Sequence, residues 1–272
     1  MPFSPALLPL FALLGSLGGF LAGLLGIGGG IIFVPLFLWV FPLAGFPPDL
    51  VAHSAFGTSL AIIIPTALSS TLAHRRRGNV DWHQVYRIAL GAVLGAIAGA
   101  MIAAGISSEG LKTMFGFMQV LVGLKMLFQP RYLPPEETLP IPFRHLLLVG
   151  LAGGAFSAFF GVGGGVVAVP LMIIFLRLPA QLAVGNSSAL IVVSSIIGTL
   201  SYMLHGWGMP NLPSFSFGYV NLLVVAIVAP FAICSARLGV RLASRIRHDT
   251  LVKVFAIVLI LIGLRMLVRT FF

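Results

Sequence analysis

Apolar residues run along this chain in stretches too continuous for the alternation of a strand. They fall at about residues 6–26, 31–45, 55–73, 85–105, 111–128, 145–160, 166–178, 185–204, 218–236 and 251–270. Most approach the roughly 20 apolar residues that a helix needs to cross a bilayer core of about 30 Å. The second, sixth and seventh stretches are short, and each abuts a cluster of glycines. Short pieces beside glycine clusters are expected to be half-helices or re-entrant segments buried in protein. The pattern therefore predicts an all-α, polytopic membrane protein, with room for about eight to ten crossings.

Composition agrees with the pattern. Hydrophobic residues make up 59% of the chain and charged residues 8%, and mean hydropathy is +1.10. The 32 glycines and 22 phenylalanines suit helices that meet lipid on one side and each other closely on the other. A net charge of +10 would suggest a nucleic-acid partner in a soluble protein. Here the basic residues sit at the ends of apolar segments, where positive-inside anchoring accounts for them, so the expected partner is the lipid bilayer and not nucleic acid. Cys234 stands alone, so an intramolecular disulfide, a CxxC redox pair and a cysteine metal cage are excluded. No metal or cofactor is expected. The opening MPFSPALLPLFALLG lacks a basic n-region and a cleavage signal, and is expected to be a retained first membrane helix.

The chain repeats itself. GIGGGIIFVPLF (Gly26 to Phe37) returns as GVGGGVVAVPLM (Gly161 to Met172). AFGTSL (Ala55 to Leu60) resembles VGNSSA (Val184 to Ala189), and FGFMQVLVGLKML (Phe115 to Leu127) resembles FAIVLILIGLRML (Phe255 to Leu267). Between the copies lies QPRYLPPEETLPIP (Gln129 to Pro142), whose prolines and acidic pair suit a solvated connector. The expected organisation is a first membrane repeat over 1–128, a connector over 129–143 and a second repeat over 144–272.

Loop charge relates the two halves. The densest basic loops are AHRRRGN (Ala73 to Asn79), after the third segment of half one, and ARLGVRLASRIRH (Ala236 to His248), after the fourth segment of half two. Their counterparts, HGWGMPNLPSFSFG (His205 to Gly218) and GISSEGLK (Gly105 to Lys112), carry no Lys or Arg and one Lys respectively. If each half crosses five times, the second half enters upside down, and both arginine loops reach one face together with Arg131, Arg144 and Arg177. That face is expected to be cytoplasmic. A parallel repeat with an even crossing number puts the arginine loops on opposite faces. Inverted-topology repeats of about five segments each, with both termini outside, are therefore expected.

The glycine clusters are the first candidate site. Gly26, Gly28, Gly29 and Gly30 precede an apolar run that restarts at Ile31, and Gly161, Gly163, Gly164 and Gly165 precede one at Val166. A helix N-terminus there would offer unpaired N–H groups and the positive end of a dipole, the features that bind anions. Pro35 and Pro170, placed in or just beyond the first turn, would cost little there. Two such ends facing one another would form a central anion site; close helix packing is the alternative reading of the same glycines. Neither cluster is a Walker loop or a GxGxxG fingerprint.

Thr58, Ser59, Asn186, Ser187 and Ser188 are matched between the halves and could donate to substrate oxygens. Interhelical or back-bonding is their other use. Ser69, Ser70, Ser194 and Ser195 extend the polar stripe, more simply as packing. Charges within the apolar spans are nearly absent: Asp49, Asp81, Glu109 and Asp249 sit at predicted ends, and Arg87 and Lys125 can snorkel. Without a buried carboxylate the sequence does not look like a cation pump. An anion held by N–H and hydroxyl groups needs no buried countercharge. His53, His74 and His205 lie at segment ends, where interfacial roles suffice. His53, nearest the proposed site, is the candidate for proton coupling. Trp39, Trp82 and Trp207 are expected as interface anchors or packing residues.

The two GxGGGxxxVPL copies, the GTSL and NSSA segments after them, and the closing VGLKML and IGLRML pairs make most of the chain similar to the sulfite exporter TauE/SafE family. That resemblance implies a carrier of the bacterial or archaeal inner membrane, moving sulfite, thiosulfate, sulfonates or other small sulfur-containing or carboxylic anions. It reaches Gly26 to Gly30, Gly161 to Gly165, Pro35, Pro170, Thr58, Ser59, Asn186 and Ser187. Half two departs by having NSS where half one has GTS, so the two sides of any site are chemically unequal.

The expected function is a secondary transporter, in the exporting direction, of a small anion by alternating access. An anion channel or a membrane scaffold are the alternatives. An intramembrane serine hydrolase would have to pair Ser187 or Ser188 with His205, which lie nearly a full membrane span apart on one helix.

Overall fold

The protein, as a computed structural model, is described over residues 7–25, 29–128, 141–243 and 248–271. Ten helices occupy most of this: α1 (Leu8–Leu25), α2 (Gly30–Leu43), α3 (Val51–Arg76), α4 (Trp82–Ala104), α5 (Ser108–Phe128), α6 (Phe143–Phe160), α7 (Gly165–Ile174), α8 (Ala180–His205), α9 (Leu222–Ala243) and α10 (His248–Phe271). A 3-10 turn, Pro48–Leu50, leads into α3, and a minimal antiparallel hairpin, β1 (Ser216–Phe217) with β2 (Val220–Asn221), leads into α9. Six helices, α3 (with its 3-10 turn), α4, α5, α6, α8 and α9, are long and apolar enough to cross a membrane.

The all-α, multi-pass expectation holds, and the apolar stretches correspond to helices one for one. Several helices begin before their apolar stretch because polar residues join them at the interface. α4 starts at Trp82, where the Asp81 carboxylate accepts from the His83 and Gln84 N–H groups at 2.9 and 3.3 Å. The sixth stretch, read as short, becomes an 18-residue helix because Phe143 and Arg144 are helical too. α2 and α7 do stay short: 14 and 10 residues span about 21 and 15 Å at 1.5 Å per residue. Of the expected connector, residues 129–140 and with them Arg131 lie outside the described residues.

α1 and α2 run antiparallel, with Phe11 beside Phe41 at a ring separation of 6.3 Å and Gly18 beside Phe33. Along α2 the rings of Phe33, Phe37 and Phe41 stack at 6.0 and 5.1 Å, and Phe46 continues the stack at 4.1 Å. α6 and α7 pair likewise, Gly153 lying against Ala168 and Gly164 against Ser157. Each glycine cluster therefore lies in the chain between the two helices of an antiparallel pair.

The halves interlock by exchange. α4 packs on α6 and α9 on α1, while α3 packs on α8 and α5 on α10. Residue neighbours fix the directions. Gly91, Gly95 and Gly99 meet Leu147, Leu151 and Ala155, and Gly15, Gly19 and Gly23 meet Val228, Ala232 and Ala236, so both of these pairs are parallel. Gly57, Gly198 and Gly163 put Tyr202 beside residue 57, Leu60 beside residue 198, and Ile63 near Ile191, so α3 and α8 are antiparallel. Gly116 meets Gly263 and Gly123 meets Ala256, so α5 and α10 are antiparallel as well.

The parallel pairs are backbone-to-backbone contacts that only glycine permits. A Cβ at Gly95 would stand 2.2 Å from the Leu151 carbonyl oxygen, whereas one at Gly105 finds nothing nearer than 3.6 Å. Gly95→Leu should therefore lower stability by the roughly 1–3 kcal/mol of overpacking or more, and Gly105→Ala should be neutral. Thermal unfolding of the detergent-purified protein compares them.

Candidate functional site

The second glycine cluster is a tight reversal that needs glycine. Gly161, Gly163 and Gly164 have φ of 69°, 84° and 66°, a region costly for residues with a Cβ. Gly161 ends α6 in the left-handed conformation, and the Val162 N–H reaches back to the Ser157 carbonyl at 3.3 Å. Gly164 then opens α7, accepting from Val167 and Ala168, and the Gly165 N–H turns to the Gly163 carbonyl at 2.8 Å. Among the described residues the Val166 N–H has no backbone acceptor. In the first cluster Gly29 opens α2, its carbonyl accepting from Ile32 and Phe33 at 3.0 and 2.9 Å. Gly26 and Gly28 lie outside the described residues.

The two clusters touch. A Cβ on Gly30 would lie 2.4 Å from the Cα of Val162. Antiparallel α3 and α8 flank this meeting point. The Ser59 hydroxyl donates to the Gly161 carbonyl at 2.9 Å. On the other side, the Cβ position of Gly165 is 3.5 Å from the Ser187 Oγ. Ile63 and Ile191 close over Gly163, backed by Ala67 and Val192. Ser187 is buried, and its hydroxyl has no hydrogen-bond partner. The arrangement gathers Gly30, Ser59, Gly161, Gly163, Gly165, Val166 and Ser187 into one apolar-walled spot with unspent donors.

Pro35 and Pro170 sit at the sixth position of α2 and α7, past the first turn. Proline there leaves the carbonyl four residues earlier without its helical donor. For Pro35 that carbonyl belongs to Ile31, and the buried Gln119 amide donates to it at 3.4 Å. Gln119 drew no attention in the sequence, although a lone amide in the middle of an apolar stretch is the signal that would have found it.

The remaining candidates have other partners. Thr58 Oγ1 accepts from the Asn221 N–H at 3.1 Å, and Asn221 Oδ1 in turn accepts from Val224 N–H at the start of α9. Asn186 Oδ1 accepts from the Asp81 N–H at 2.9 Å, and its amide donates to Gln84 Oε1 at 3.0 Å. By contact, Thr58 is equivalent to Asn186, one position out of the GTS-to-NSS sequence match, and each holds the capping residue of a helix in the opposite half, α9 and α4. Ser188 donates back to the Gly185 carbonyl at 2.7 Å, and Ser194 to the Ser157 hydroxyl at 3.0 Å. His53 is buried at the start of α3, stacked on Tyr219 with ring centroids 4.9 Å apart, and its Nε2 lies 3.2 Å from the Ala103 carbonyl. His205 Nδ1 lies 2.8 Å from the Ser201 carbonyl, and seventeen residues of continuous helix, about 26 Å, separate it from Ser188. The structure brings no serine and histidine of α8 together as a nucleophile and base.

Asn186→Ala should strand the Asp81 N–H and Gln84 at the start of α4 and cost roughly 1–3 kcal/mol. Thr58→Ser should keep its acceptor and cost little, while Thr58→Val should resemble the Asn186 variant. Melting temperatures of the purified variants check this ordering.

Residues 11–266 match the sulfite exporter TauE/SafE family. A probable membrane transporter protein of Haemophilus influenzae is 29% identical over 94% of this chain and 97% of its own. The probable membrane transporter protein YunE of Bacillus subtilis is 28% identical over 97% and 98%, and one from Xylella fastidiosa is 35% identical over 70% and 72%. These names point to transport and not to an enzyme. By its match over nearly the whole chain and its six membrane-length apolar helices, the chain belongs to the sulfite exporter TauE/SafE family and is a multi-pass membrane protein.

Proposed function

We propose that this protein is a secondary carrier that exports a small sulfur-containing or organic anion, such as sulfite, thiosulfate or a sulfonate, across the cytoplasmic membrane by alternating access. The observation that carries the reading is the contact of Gly30 with Val162, which joins two helix N-termini at one buried spot beside the unpartnered Ser187 hydroxyl. N–H groups and hydroxyl donors there suit an anion, and among the described residues no carboxylate stands with them for a cation.

Inverted repeats underlie the mechanism. The matched helices α3 and α8 pack antiparallel, as do α5 and α10, which supports a pseudo-two-fold axis in the membrane plane. The same directions support a shared cytoplasmic face for the arginine-rich ends of α3 and α9, since α9 follows α1 and α1 opposes α2. The cap contacts of Thr58 and Asn186 support pairing Ser59 with Ser187, one position out of the GTS-to-NSS match. Ser59 is latched to its facing glycine carbonyl and Ser187 is not. In an inverted repeat, exchanging those two conditions turns an inward-open state into an outward-open one. His53 remains the candidate for proton coupling, beside Tyr219 at the end of α3 remote from the arginine loop.

In proteoliposomes, saturable counterflow is expected for at least one of sulfite, thiosulfate, sulfoacetate, sulfate and small carboxylates. Flux without saturation or counterflow would indicate a channel, and no flux for the whole panel would overturn the reading. Ser187→Ala should raise KM for the transported anion by roughly ten- to a hundredfold, the equivalent of one hydrogen bond to a charged group. Gly165→Val should abolish transport with unchanged membrane insertion, because the nearest neighbours of its Cβ are the movable tip of Ile191 and the Ser187 hydroxyl.

A further inference from the structure

On the side of α2 away from the second glycine cluster lies a groove of about 870 Å³ between α1, α2, α5 and α10. Its floor is apolar and buried, made by Ile31, Ile32, Phe255 and Leu259, and its rim includes the exposed Leu17, Trp39 and Val258. Polar lining is confined to Glu109, Lys112 and Arg265. These three share one end. Lys112 and Glu109 form an ion pair of 2.7 Å in the first turns of α5, and α10 runs antiparallel to α5 with Gly263 beside Gly116, which brings Arg265 level with them. Among the described residues Arg265 has no acidic partner. The Ala52 N–H donates to Ser108 Oγ at 3.1 Å, so this end lies at the start of α3, opposite its arginine-rich end.

The groove thus has a basic mouth at one membrane surface and apolar walls in the interior. From Arg265 to Val254 it follows eleven residues of α10, about 16 Å. Half of a bilayer core of roughly 30 Å is nearly the same length. An apolar cleft of this size, open sideways to hydrocarbon, gives water no partners. Small hydrophilic anions have no use for such walls.

We propose that this groove is a binding site for one anionic phospholipid of the leaflet opposite the arginine loop, an acyl chain lying along α10 and α2 and the phosphate at Arg265 and Lys112. Trp39, exposed on the rim, sits beside the chain's path. Because the chain's end would rest against Ile31, whose carbonyl Gln119 holds, the lipid would buttress α2 behind the first glycine cluster. The site rests on the groove alone and stands whichever anion, if any, the protein carries.

The test uses full-length protein reconstituted in vesicles of equal parts phosphatidylglycerol and phosphatidylethanolamine, extracted gently and weighed by native mass spectrometry. Phosphatidylglycerol should be retained in excess over its share. Arg265→Gln and Lys112→Gln should each lower that excess by about fivefold, the worth of one basic residue near a membrane surface. Leu36→Trp should fill the groove and expel both lipids from a monodisperse protein, and Val258→Trp on the opposite wall serves if Leu36→Trp aggregates. Retention in the vesicle ratio, an unchanged excess in Arg265→Gln, lipid retained in both tryptophan variants, or a lipid-free dimer whose second copy covers the groove would each overturn the proposal.

Discussion

Inside a bilayer a broken helix has no water to satisfy its free backbone groups, and this constraint organises the whole molecule. Two bends fall at the glycine clusters, so each must be covered by protein. α3 and α8 provide the cover: 72% and 61% of their apolar windows are buried, against 28% for α9. These two helices carry the hydroxyls that face the bends, Ser59 on one and Ser187 on the other. Pro35 opens a further gap by freeing the Ile31 carbonyl, and Gln119 closes it from α5. Everything outside this centre, including the glycine-lined contacts of α4 with α6 and of α1 with α9, holds the covering helices in place without charge.

That exchange of partners between halves explains why the two bends meet at all. α4 leaves its own half to lie along α6, and α9 leaves its own to lie along α1, so each half is held against the other. The caps reinforce this, since Thr58 binds the residue that starts α9 and Asn186 the residue that starts α4. A displacement of α3 is therefore transmitted to α9 through the Thr58 hydrogen bond, and one of α8 to α4 through the two of Asn186. Coupling of that kind suits a molecule whose halves move against each other.

Much of this was legible in the sequence, and the limits are instructive. Helix positions followed from apolar length, and the duplicated GGG and VPL segments pointed to the bends because the φ values of Gly161, Gly163 and Gly164 strongly favour glycine. The division of labour among matched polar residues was not legible. Thr58 and Ser59 are neighbours in sequence yet about 100° apart around α3, and which of them faces the bend depends on how the helix is rotated by its packing. Asn186 and Ser187 divide in the same way, with the second residue of each pair turned to the glycines. Asn221 and Asp81, the capped partners, lie 163 and 105 residues away, a distance over which periodicity carries no information.

The chemistry at the centre also accounts for the scarcity of charge. A fixed cation would bind an anion more tightly, but in the empty carrier it would stand desolvated in the membrane interior, at a cost of several kcal/mol. In the proposed alternating-access cycle the site would have to empty and to reorient, so that cost would recur each time. N–H groups at helix starts and a serine hydroxyl carry only partial charge, and a single unpartnered hydroxyl such as that of Ser187 is a far smaller burden when the site is vacant. Weak donors without fixed charge are thus the arrangement that would let the proposed anion site both fill and release.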